Sequence, residues 1–172
     1  MPLQEPERIL KVYRALDGER MDIKFYMDVG VESIIYDSFE EISCRLVKAY
    51  VGIESGSDKM LRLITKPQNV GQIKKAVKIL EEKGIAVRYS FLKNLPKEDD
   101  DDLRATESLI EWIKANHSNC AIYVSQYWTP MYGTPLYTEF RNDLDEIERR
   151  LSESGEVVQS EVWTSGKYRE IK

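Results

Sequence analysis

Apolar positions along the chain switch between two periods. From Glu5 to Leu16 they recur at helical spacing (Ile9, Leu10, Tyr13, Leu16), and Gly18 stands where such a helix stops. Met21 to Val29 is short and rich in β-formers: Ile23, Phe25, Tyr26, Met27 and Val29. Helical spacing returns over Glu32 to Val47 with Ile34, Ile35, Phe39, Ile42 and Leu46, and Cys44 is expected in the core of that helix. Ala49 to Ile53 is a compact apolar run ending at Glu54-Ser55-Gly56-Ser57, a loop followed by a helix start. A short helix over Asp58 to Ile64 should end at Pro67. Asn69 then caps an amphipathic helix carrying Ile73, Ala76, Val77 and Leu80, stopped by Gly84.

Ile85 to Leu92 predicts a strand. The acidic run Asp99 to Asp102 opens a helix from Asp101 or Asp102 to Ala115, with Leu103, Thr106, Leu109, Ile110 and Ile113 inward. Cys120 to Trp128 predicts a further strand. A loop from Thr129 to Pro135 leads into a helix over Leu136 to Leu151, and Glu156 to Ile171 has weak strand character. Strand and helix thus alternate about four times, and helices between strands make right-handed parallel crossovers. The expected class is α/β with a mostly parallel sheet, as part of a barrel or an open sheet. Ligands then belong beyond the carboxyl ends of the strands.

Composition narrows this picture. A length of 172 residues fits one domain, or one domain with an appendage. At 42% hydrophobic and 32% charged, the chain is too apolar for disorder and too charged for a bilayer. Its longest charge-free stretch, Ala115 to Thr138, carries Asn116, Ser118, Asn119, Gln126 and two prolines, so no membrane span is expected. The start lacks a secretory pattern, so the chain is expected in the cytoplasm with Cys44 and Cys120 as reduced, buried thiols. A net charge of -5 argues against general nucleic-acid binding. Two distant cysteines and His117, read as a turn residue before a strand, cannot complete a four-ligand zinc or iron–sulfur site.

Three strand ends carry candidate chemistry. Gly52 to Ser57 offers close backbone approach at its glycines, two hydroxyls, and Glu54 for a ligand ammonium or ribose hydroxyl; it reads equally as a turn with Ser57 as N-cap. Phe91 to Glu98 holds Pro96 in a turn before an acidic run that suits a solvated helix cap. Thr129 to Tyr137 gathers Tyr132 and Tyr137 with Tyr127 and Trp128, a setting for a flat ligand, a lid or a partner surface.

In this order the three segments resemble the later part of a radical S-adenosylmethionine (radical SAM) protein, in the branch with cobalamin-binding or methylthiotransferase-type architecture. Gly-Ile-Glu-Ser-Gly-Ser is matched in full by Gly52 to Ser57, with Leu61 and Lys66 in place one helix later. The family's Gly-Leu-Pro-Gly-Glu turn is matched by Asn94 to Glu98, and its Pro-x-x-Gly-Thr-Pro-Leu-Tyr by Pro130 and Gly133 to Tyr137. The resemblance spans roughly 21–151 and implies a partial, open TIM-like βα barrel of about four βα units. Residues 1–20 are then an N-terminal helix and 152–172 a C-terminal extension. The resemblance implies S-adenosylmethionine as cofactor. Glu54, Ser55, Gly56 and Ser57 would meet its methionine and ribose part, and Asn94, Leu95, Pro96 and Tyr132 its base.

The resemblance also implies a four-iron cluster, yet the Cys-x-x-x-Cys-x-x-Cys motif that holds it is absent here, and this chain's own cysteines cannot bind it. On this resemblance Met21 to Val29 corresponds to the family's third strand, and the first two βα units are expected to be missing. Asn94 and Lys97 replace two turn glycines. The expectation is a radical SAM-like fragment or split enzyme, silent alone, with the missing N-terminal half or a homodimer partner at the exposed edge formed by Met21 to Val29. The alternative is a degenerate stand-alone binding or assembly protein. An α/β hydrolytic domain using Glu54 or Glu98 has little support, since the lone His117 precedes a strand rather than following one.

Overall fold

The computed structural model describes residues 6–125, 128, 133 and 135–140. The chain divides into two units, Met1–Trp128 and Thr129–Lys172. In the first, four strands form one sheet in sequence order: β1 (Phe25–Asp28), β2 (Leu46–Glu54), β3 (Ala86–Leu92) and β4 (Cys120–Ser125). All three strand pairs are parallel. The helices are α1 (Pro6–Gly18), α2 (Val31–Ile34), α3 (Phe39–Ser43), α4 (Asp58–Leu63), α5 (Val70–Glu82) and α6 (Asp100–Asn116). The described part of the second unit is Gly133 and one short helix, α7 (Pro135–Phe140). The α/β class and the partial parallel βα barrel are as the sequence implies.

One face of the sheet is covered; on the other, the bare face, no strand residue is buried among the described residues. Ala49, Val51, Ile53, Val87, Tyr89 and Phe91 alternate onto the covered face and join Ile34, Phe39, Ile73, Val77, Leu80, Leu109 and Ile113 in one core. The opposite alternation carries Tyr26, Lys48, Tyr50, Gly52, Arg88, Ser90 and Tyr123, none of them buried. There the Arg88 guanidinium lies 4.8 Å from the Tyr123 ring centre and the Lys48 ammonium 5.4 Å from that of Tyr50. Parallel sheets are usually covered on both faces, so a bare one marks a surface that the rest of a barrel would enclose.

Local chemistry sets the helix ends. Asn69 and Gln72 form a reciprocal capping box, with both bonds at 2.9 Å, and Gly84 ends α5 at φ +65°. Asp99 caps α6, accepting from the N–H groups of Asp101 and Asp102 at 3.0 Å, so that helix starts at Asp100, earlier than the apolar pattern indicates. His117 caps its other end and is buried. Its Nε2 lies 3.0 Å from the Ile85 carbonyl oxygen, which can only accept, so Nε2 carries the proton and Nδ1 accepts from the Tyr89 hydroxyl at 2.6 Å.

Several expectations are corrected. The helix over Glu32 to Val47 is two short helices broken by the polar turn at Tyr36, Asp37 and Ser38, and Leu46 and Val47 belong to β2. Cys44 is not core: it is exposed at the end of α3, its Sγ donating to the Glu41 carbonyl at 2.9 Å, and Cys120 is only half-buried. β1 starts at Phe25 because Arg45 Nη1 takes the carbonyls of Met21 and Ile23, at 3.1 and 3.0 Å. β4 is described over Cys120–Ser125, residues 126 and 127 of the strand expected to Trp128 lie outside the described residues, and Leu103 is half-buried. Residues 141–172, including most of the helix expected to Leu151, lie outside the described residues. No helix among the described residues is long and apolar enough to cross a membrane.

The buried Tyr89–His117 bond gives a stability test. Tyr89→Phe keeps the ring and leaves Nδ1 without its donor, so urea denaturation should show a loss of about 1–3 kcal/mol. An unchanged midpoint would mean that the bond contributes nothing.

Candidate functional site

The carboxyl end of β2 is irregular. The β2–β3 register shifts between Gly52 and Glu54, and Glu54 stands at φ +69°. A non-glycine residue in this region costs roughly 1–3 kcal/mol and persists only where its surroundings impose it. The conformation folds the Glu54 side chain back over Gly52. A Cβ at Gly52 would lie 2.5 Å from Glu54 Oε1 and 3.3 Å from Lys66 Nζ. Glycine therefore leaves room for an ion pair on the bare face, Lys66 Nζ to Glu54 Oε1 at 2.9 Å, with the Glu54 carboxylate largely sheltered from solvent. Lys66 is held from behind: its N–H donates to the Leu61 carbonyl, and Gln68 Nε2 donates to the carbonyls of Gly52 and Ile53, both at 3.0 Å.

The residues after Glu54 turn inward. A Cβ at Gly56 would meet the Ala105 carbonyl oxygen at 2.4 Å, so this glycine permits direct backbone packing against α6. Gly56 N–H donates to Thr106 Oγ1 at 2.9 Å, and the Ser55 hydroxyl lies 3.2 Å from the same oxygen. Ser57 caps α4 as expected and donates to Asp102 Oδ1 at 2.6 Å. Asp102 is buried, with Lys59 Nζ 2.6 Å from its other oxygen. Burial alone would raise its pKa; the bonds from Lys59, Ser57 and the Asp99 N–H outweigh that and hold it below the usual carboxylate range. Asp99, bonded by Lys59 and its own helix N–H groups, is lowered to about 2. The acidic run is therefore more than a solvated cap. Asp102, Thr106, Gln68 and Lys66 complete the loop; the first two are signalled only by sitting four apart on one helix face.

In the turn after β3, Asn94 is at φ +58° and Lys97 at φ +60°. These are the two positions where the resembled motif has glycine. Asparagine tolerates this region; lysine does so at a cost. Asn94 is exposed, Leu95 buried and Pro96 half-buried. Glu98 Oε2 accepts from the Leu95 N–H at 3.2 Å, while Oε1 is buried with no partner among the described residues. Burial raises the pKa of Glu98, against the turn's N–H groups. Tyr132 lies outside the described residues.

The two cysteines lie at the other end of the sheet. Cys44 precedes β2 and Cys120 opens β4, so both sit at amino ends of strands while Glu54 sits at a carboxyl end. Among the described residues no three His, Cys, Asp or Glu side chains are grouped to hold a metal. These residues do not fit an iron–sulfur cluster.

No family model matches the chain. It is similar to the tRNA-2-methylthio-N(6)-dimethylallyladenosine synthase of Aeromonas hydrophila, 25% identical over 164 residues, covering 92% of this chain and 33% of that protein. The Nitrosomonas europaea protein of that name is 27% identical over 156 residues, covering 79% and 35%. Among solved structures, the cobalamin-dependent S-adenosylmethionine radical enzyme OxsB superposes with TM-score 0.61 at 16% identity, over 83% of this chain and 26% of its own. Archaeal Methanocaldococcus infernus Elp3 gives 0.56 at 15% identity, over 70% and 28%. The chain shares its fold with part of these solved enzymes. It spans about a third of the length of the curated relatives it matches.

Two measurements check the site's construction. Lys97→Gly should stabilise the chain by about 0.5–1 kcal/mol in urea, because the left-handed penalty that it removes outweighs the added unfolded-state entropy and the lost side-chain contacts; a loss would contradict the strain. Asp99 and Asp102 have lowered pKa values when folded, so their stabilisation is full above about pH 4 and lost as pH falls toward 2. The acid-induced drop should shrink in Asp102→Asn, and an equal drop in both proteins would remove these carboxylates from the account.

Proposed function

We propose that the chain forms the later, S-adenosylmethionine-facing part of a radical SAM barrel and does not generate the radical by itself. The Glu54–Lys66 pair carries this reading. A carboxylate and an ammonium 2.9 Å apart can exchange each other for a zwitterion, Glu54 taking the α-ammonium and Lys66 the α-carboxylate of a methionine moiety. The donor set therefore fits the amino-acid end of S-adenosylmethionine. The inward serines fit a supporting role, holding the loop that presents Glu54, and the turn at Asn94, Leu95 and Pro96 would flank the cofactor. S-adenosylmethionine supplies the radical chemistry only where a reduced iron–sulfur cluster meets it, and this chain's thiols stand at the wrong end of the sheet.

The cluster and the first strands then come from another segment, which would pair in parallel with β1. The bare face with Lys48, Tyr50, Arg88 and Tyr123 becomes part of the enclosed wall, suited to a flat and anionic portion of a ligand. The tRNA substrates named for the relatives are consistent with such a wall. A second reading, a degenerate binding or assembly protein, is favoured by one observation: Lys97 sits in a left-handed position that glycine would fill without strain.

Isothermal titration of the chain with S-adenosylmethionine should give a Kd of about 1 mM, and Glu54→Gln or Lys66→Met should weaken it at least about tenfold. No heat in the wild-type chain at millimolar ligand would favour the degenerate reading. After reconstitution with iron and sulfide the chain should leave S-adenosylmethionine uncleaved; reductive cleavage would overturn the assignment of the cluster to another segment.

A further inference from the structure

β1 is an outer strand of the sheet, and among the described residues no strand pairs with its other edge. Phe25 and Val29 donate their N–H groups to the Arg45 and Tyr50 carbonyls of the β2 side, at 2.8 and 2.9 Å. By the two-residue period of a strand, the backbone groups of Tyr26 and Asp28 therefore face away from the sheet, and Lys24, which directly precedes β1, continues the same alternation once a partner strand extends the ladder. These three side chains are also exposed, and Tyr26, at 68%, is the most exposed large hydrophobic residue among the described residues. Lys24 and Asp28 flank Tyr26 at equal distance along the chain with opposite charge.

That arrangement is complementary to itself. An antiparallel pairing of two β1 strands centred on Tyr26 sets Tyr26 opposite Tyr26, and Lys24 opposite Asp28 of the second copy, at both ends. The backbone groups that such a ladder needs at these pairs are the ones that already face outward. A parallel pairing would instead set Lys24 beside Lys24 and Asp28 beside Asp28, and like charges across a ladder repel. Among the described residues Lys24 pairs with Asp22 alone, 3.3 Å away and strongly exposed, so exchange for Asp28 costs little.

We infer that two copies of the chain join edge to edge through β1, antiparallel about a two-fold axis at Tyr26, into one continuous sheet. Such an axis is perpendicular to the sheet, so both bare faces lie on the same side and the contact is isologous. The pairing uses the edge that a supplied first half would occupy, so the two occupants exclude each other. It involves none of the residues assigned to ligand binding, and its failure leaves that assignment untouched.

Sedimentation velocity on the full chain tests it, with circular dichroism confirming that each variant is folded. The wild type should be a dimer at about 100 µM. Lys24→Asp and Asp28→Lys should each weaken the dimer about tenfold, because each sets like charges opposite at both ends. The double variant Lys24→Asp with Asp28→Lys should restore it. A monomeric wild type, a dimer that either single swap leaves intact, or a folded double variant that stays monomeric would each overturn the proposal.

Discussion

Gly56 lies with its Cα directly against the backbone of α6, where one added carbon would come 2.4 Å from the Ala105 carbonyl oxygen. The rest of the site depends on that contact. It brings the loop close enough for Thr106 to accept from the Gly56 N–H, and for Ser57 to reach a buried Asp102. It also fixes where the chain leaves β2, and Glu54 takes up the difference by standing at φ +69°. The strain at Glu54 and the burial of Asp102 are two sides of one docking event: the interior bonds of the loop offset the cost of the conformation that carries the carboxylate onto the bare face.

The two ends of the sheet differ in consequence. At the carboxyl ends of β2 and β3 stand three residues with left-handed backbone (Glu54, Asn94, Lys97), and Glu54 there pairs with Lys66. At the amino end lie the thiols, neither held in a bonded cluster of metal-binding side chains among the described residues. Ligand chemistry beyond the carboxyl ends of parallel strands is the general expectation for such folds. The bare face adds a wall of tyrosines and cations. An overall charge of -5 gave no hint of it, because strand alternation sorts residues by face while composition averages over both.

Much of this was legible beforehand. The parallel order, the Asn69 cap, the Gly84 stop and the Ser57 cap follow from period and turn chemistry that act locally. The helix expected through Cys44 failed because periodicity cannot see Arg45 reaching back to Met21 and Ile23, a contact more than twenty residues distant in sequence. Asp102 was hidden for a related reason. Within an acidic run every member reads as a solvated cap, and only the docking of a distant loop shows which carboxylate is buried. That the Ser55 and Ser57 hydroxyls face α6 is not visible in the motif, which shows residue type and not direction.

The central claim is that this chain presents a pocket half for S-adenosylmethionine at the carboxyl ends of β2 and β3. Hydrogen–deuterium exchange with and without saturating S-adenosylmethionine tests it most directly. The account predicts slowed exchange confined to 52–57, 65–68 and 93–97, with the amino ends of the strands unchanged. No protection, or protection centred on the amino ends near Cys44 and Cys120, would contradict it.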